Sequence, residues 1–119
     1  MSGIFTAWRA DIEANLEDAR KQLEADLKKL KAAEAAAAIA KTERRQLTDA
    51  MVRLPANVVL SGELANRMRE RDDVFRQADG ALLRARNGVT SSGRRIADLE
   101  EALQQLGALI PAEEAETTA

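Results

Sequence analysis

Every seventh residue from Met68 to Ile110 is apolar: Met68, Phe75, Leu82, Val89, Ile96, Leu103 and Ile110. A companion series, offset by three or four, runs Leu64, Arg71, Ala78, Ala85, Ser92, Leu99 and Leu106. This alternation draws one narrow apolar stripe along an α-helix, and the stripe must be buried against another helix. A strand, with its period of two, cannot hold such a phase.

The first half carries a seam of its own. Phe5, Ile12, Ala19, Asp26, Ala33, Ala40, Leu47 and Leu54 alternate with Arg9, Leu16, Leu23, Leu30, Ala37, Arg44 and Met51. Neither Pro nor Gly interrupts residues 6–54, and the interval 32–40 is mostly alanine, the strongest helix former. Asp26 is the one acid at a seam position, and Leu27 beside it is expected to cover the gap.

These patterns predict an all-α fold: a long antiparallel two-helix coiled-coil hairpin occupying residues 1–110 as a single domain. One helix covers about 6–54, a turn 55–60, and a second helix about 61–108. Pro55 closes the first helix, because the residue before a proline is pushed out of the α region. Ser61 is placed to cap the second helix. Pro111 is expected to end it, with Gly107 just before, leaving 111–119 as an acidic disordered tail that holds Glu113, Glu114 and Glu116.

One stretch argues against a single second arm. Residues 87–93, Asn-Gly-Val-Thr-Ser-Ser-Gly, read by propensity as a loop that would break or kink the arm into a third helix. Yet the seven-residue series passes through Val89 in phase, which a chain turning away has no reason to keep. The continuous helix is the preferred reading.

If the arms fold on each other about a turn centred between Asn57 and Val58, residue numbers in facing pairs add to 115. The layers are then Ala40–Phe75, Ala33–Leu82, Leu30–Ala85, Leu23–Ser92 and Ala19–Ile96, small against large as close packing requires. Leu16–Leu99 and Ile12–Leu103 follow in the same register.

Composition narrows the function. Of 119 residues, 32% are charged and 3% aromatic, with a net charge of −2, which gives no overall bias toward nucleic acid or anionic membrane. Cys, His and Tyr are absent from the sequence, which excludes thiol chemistry, disulfides, Cys/His zinc sites and the usual neutral-pH proton shuttle. No run reaches the roughly 18 apolar residues of a membrane span. The first residues lack the pattern of a secretory signal, so a cytoplasmic protein is expected. Phosphate-binding, dinucleotide-binding and nucleophile-elbow motifs are all missing. Adjacent carboxylates such as Glu17–Asp18, Asp72–Asp73 and Glu100–Glu101 point about 100° apart on a helix and do not converge on one atom. No catalytic, cofactor or metal site is expected.

The remaining candidates are surfaces. Val58, Val59 and Leu60 put consecutive apolar residues at the turn, where polar ones are usual. Phe5, Trp8, Leu109 and Ile110 gather large side chains near the two chain ends and are candidates for partner binding, with closure of the core as the simpler role. Arg44 and Arg71 share a seam layer. They either form a polar layer that fixes register or, the preferred reading, reach out along the surface to Glu43, Glu70, Asp72 or Asp73. Lys28, Lys29, Lys31, Arg84, Arg86, Arg94 and Arg95 form a basic stretch that could meet phosphates, but no aromatic is interleaved for base stacking. A flanking row of small residues, Ala36, Ala50, Ala81, Gly88 and Ala102, would let two hairpins dimerise into a four-helix bundle.

The expected function is therefore a non-enzymatic protein-interaction module, an assembly, adaptor, chaperone or inhibitory factor. Its partner would be another protein, a larger assembly or a second copy. The alternative is a nucleic-acid-associated accessory protein that lays the basic stretch on a phosphate backbone.

Overall fold

The computed structural model describes residues 3–59 and 62–118, with side chains throughout except at 58–59 and 113–118. Helix α1 spans Ile4–Arg53, a short helix α2 spans Ala56–Val59, and α3 spans Gly62–Thr118. The two long helices form an antiparallel hairpin, and the described residues contain no strand. Leu54 and Pro55 separate α1 from α2. The expected turn is therefore partly helical. Leu60 and the expected cap Ser61 lie outside the described residues.

Helix α3 runs through residues 87–93 without a break, as the in-phase seam predicts. No described glycine takes a positive φ. Gly88 lies against the Asp26 side chain: a Cβ there would meet the carboxylate at 3.8 Å, an ordinary van der Waals contact.

The end of α3 differs from expectation. Pro111 lies inside the helix, which continues to Thr118 rather than stopping near 108. A proline in a helix removes one backbone N–H and crowds the carbonyl four residues earlier. That carbonyl belongs to Gly107, an exposed residue with nothing within 4 Å of its would-be Cβ, so water can reach the orphaned oxygen. The Ala and Glu residues that follow are good helix formers.

The chain divides into two compact units. The terminal unit comprises Met1–Leu27 and Gly88–Ala119, and the turn unit Lys28–Asn87. In the terminal unit Ile12, Leu16, Ala19, Leu106 and Ile110 are buried, together with the hydroxyl residue Ser92. Ser92 donates a hydrogen bond to Asp26 Oδ2, and Gln22 Nε2 donates to Asp26 Oδ1 at 3.0 Å. Leu27 is exposed and does not cover the acid. The half-buried carboxylate is held instead by donors from both helices, Ser92 on α3 and Gln22 on α1.

In the turn unit Ala40 is buried and the larger seam residues Leu30, Leu47, Met51, Met68, Phe75 and Leu82 are half-buried. Several contacts between the helices lie close to the expected register, but in the terminal unit Asp26–Ser92 and Arg20–Glu100 are displaced from it by three and five residues. Asp26 faces Gly88, and Glu43 faces Arg71, each within one residue of a pair adding to 115.

Candidate functional site

The turn unit contains a reciprocal clasp. Arg44, on α1, pairs through Nε with Asp72 Oδ1 at 3.3 Å, and its guanidinium lies 4.6 Å from the centre of the Phe75 ring. Arg71, on α3, donates from Nη1 to Glu43 Oε2. Each arginine stands at a seam position, crosses to the other helix and finds a carboxylate beside its opposite number. Residues 43 and 44 thus mirror 72 and 71 about the turn. The guanidinium groups are about half exposed, so each pair contributes only about 0–1 kcal/mol. The clasp acts on register. A slip of one heptad carries Arg71 to Ala50 or Ala36 and leaves Glu43 without it.

The Arg44 head rests over the Phe75 ring and the Arg71 head reaches Glu43, and two open clefts flank the layer. One, of about 480 Å³, has Leu47, Met51, Ala65 and Met68 on its walls and Arg44, Arg69, Arg71 and Asp72 at its rim. The other, of about 520 Å³, is bordered by Leu47, Arg67, Glu70, Arg71 and Val74. Thioether, leucine and guanidinium groups line the clefts. They offer no converging acid and base, since Asp72 is already held by Arg44 and by Arg76 at 3.2 Å.

The terminal unit presents a different surface. Ile4 is 75% exposed, Trp8 55% and Leu109 46%. Ile4 and Trp8 are one helical turn apart on α1. Trp8 and Leu109 each precede a seam residue, which places both on the same flank of the helix pair. The other candidates near the chain ends behave otherwise. Ile110 is buried and Phe5 is half-buried. Both side chains sit in phase with the seam, so folding consumes them.

The basic residues do not make one stripe. Within the turn unit, Lys29 and Arg84 take heptad positions on one flank of the seam, Lys31 and Arg86 on the other, and Lys28 faces outward. Arg94 and Arg95 belong to the terminal unit. Of the apolar turn, Val58 and Val59 have described backbone in α2, while Leu60 lies outside the described residues.

Charge divides with the units. The turn unit holds 13 Lys and Arg against 8 Asp and Glu, a net of +5, and the terminal unit 5 against 12, a net of −7. The overall −2 hides this separation. Sequence reading missed it because the terminal unit joins segments from both ends of the chain. It also missed the Asp26–Ser92 bond. The signal for that was available: an acid at a seam position opposite a serine and a glycine.

Among the described residues no group of Asp and Glu is placed to hold a metal ion. No described helix is long and apolar enough to cross a membrane. Comparison of the chain with protein-family models, curated proteins and solved structures returns no match.

Proposed function

We propose that this chain is a non-enzymatic helical interaction module, serving as an assembly, adaptor, chaperone or inhibitory factor. The observation that carries the reading is the exposed cluster of Ile4, Trp8 and Leu109 on one flank. Tryptophan is the side chain most enriched among energetic anchors of protein interfaces, and its burial is worth leaving water only if a partner covers it. A helical pair whose seam is already closed gains nothing for its own fold by holding these three outside.

A photo-crosslinking residue introduced at position 8, and separately at Lys21, tests this in cells of the native host. The reading predicts discrete protein adducts from position 8 and none of comparable yield from position 21. Equal labelling at the two positions, or none at either, contradicts it.

The net charge of the turn unit favours a second reading, in which one of its basic flanks, Lys29 with Arg84 or Lys31 with Arg86, lies against phosphates. Binding to duplex DNA or RNA that falls steeply with salt would support this reading.

A further inference from the structure

We propose that the turn unit of one copy docks on the terminal unit of a second copy, reciprocally, so that two chains close into a symmetric dimer. The proposal deepens the interaction-module reading by naming the partner as this chain itself.

Three observations point the same way. The first is charge: a unit of net +5 attracts one of net −7, whereas like units repel. Pairing of identical units is therefore the disfavoured arrangement, and the net negative charge that attracts the basic unit is carried by every copy. The second is size. On the turn unit, Ala32, Ala36 and Ile39 follow at helical spacing on α1, and Val74 and Ala81 precede the seam residues Phe75 and Leu82 on α3. All five border one side of the seam. Ile39 is 61% and Val74 45% exposed, and the alanines between them leave a shallow surface. The terminal unit offers the opposite relief, the large side chains of Ile4, Trp8 and Leu109. Projecting side chains meet a floor of small ones, as in close-packed helix interfaces.

The third is closure. Each copy carries one docking surface and its complement, on different units. A two-fold arrangement uses both at once and leaves none free to recruit a third chain.

Trp8 is the sole tryptophan, so its emission reports on its own surroundings. Sedimentation equilibrium and Trp8 emission, read over a concentration series, test the idea on the full chain. The wild type is expected to dimerise, with a blue shift of emission as it does so, and to weaken by roughly tenfold or more in raised salt. Trp8→Ser and Ile39→Ser are each expected to sediment as monomers at concentrations where the wild type is dimeric. Both positions are exposed, so far-UV circular dichroism should stay that of the wild type. The two variants mixed in equal amounts retain one intact interface, between the wild-type Trp8 of one chain and the wild-type Ile39 of the other. The mixture should recover a heterodimer weaker than the wild-type dimer.

Loss of dimer in Ile39→Ser but not in Trp8→Ser means that turn units pair with each other, and overturns the proposal. Failure of the mixture to recover a dimer also overturns it. A wild-type chain that stays monomeric overturns it too, while position-8 adducts with a different protein would leave the interaction-module reading standing.

Discussion

Two stretches of the same heptad pattern end in different packing. In the terminal unit, Ile12, Leu16 and Ala19 on α1 are buried, as are Leu106 and Ile110 on α3. In the turn unit, Leu47, Met51 and Met68 occupy equivalent seam positions yet stay half-exposed, beside clefts of about 480 and 520 Å³. The difference traces to what fills the facing layer. Leu16 is expected against Leu99 and Ala19 against Ile96, and each of those layers buries its α1 member while the α3 member stays half-buried. Arg44 is expected against Arg71, and two guanidinium groups cannot share an apolar layer, so one rests over the Phe75 ring, the other reaches Glu43, and open clefts flank the layer. Seven-residue periodicity places a residue at the seam. Only the chemistry of both occupants of a layer decides whether it is dry.

The largest expected effect probes that contrast directly. Leu16→Ala should lower unfolding free energy by about 2–5 kcal/mol, because its site is enclosed. Leu47→Ala, at an equivalent position beside open clefts, should cost about 1 kcal/mol, since less apolar area returns to water. Urea melts of the two variants measure both, and equal losses would break the comparison.

The second effect concerns the acid at the seam of the terminal unit. Asp26→Leu should raise stability by about 1 kcal/mol, because an apolar residue of similar reach would replace a half-buried carboxylate at the seam. Gly88 and Ser92 leave space opposite, and the Ser92 hydroxyl can turn to a carbonyl of its own helix. Thermal melts at matched pH give the sign. A loss of stability would mean that the hydrogen bonds from Ser92 and Gln22 outweigh the cost of burying the acid.

The smallest expected effect lies at the glycines. Gly93→Ala should stabilise by about 0.5–1 kcal/mol, as the position is helical and nothing lies within 4 Å of the added methyl. Gly88→Ala should gain less, because its methyl would sit at 3.8 Å from the Asp26 carboxylate and push water from it. The difference in melting temperature between the two variants sharpens the account of why a loop-like sequence holds a helix.

Much of the fold is legible in the residue order. The unbroken phase through Val89 outweighed the local preference of Asn87, Gly88, Thr90 and Gly93, because burial of a seam is a sum over many layers and propensity acts one residue at a time. Pro55 located the turn, and the pairs Glu43–Arg71 and Arg44–Asp72 fall within one residue of the register that the alternation of small and large residues predicts. Pro111 misled for the converse reason: its penalty is real, but the exposed Gly107 carbonyl lets water absorb part of it. The sites were less legible. Trp8 and Ile110 look alike as apolar residues near a chain end. They separate only when the helix phase is known, since Ile110 falls on the seam and Trp8 one step off it. The division of charge required knowing which distant segments share a unit.

The most direct test of unequal packing is residue-resolved amide hydrogen exchange under native conditions. Residues 12–26 and 37–51 are comparable stretches in the interior of α1, one in each unit. The account predicts that slow exchange is concentrated in 12–26, with amides of 37–51 exchanging at least about tenfold faster through openings that leave the terminal unit intact. Equal protection of the two stretches, or slower exchange in 37–51, would contradict it.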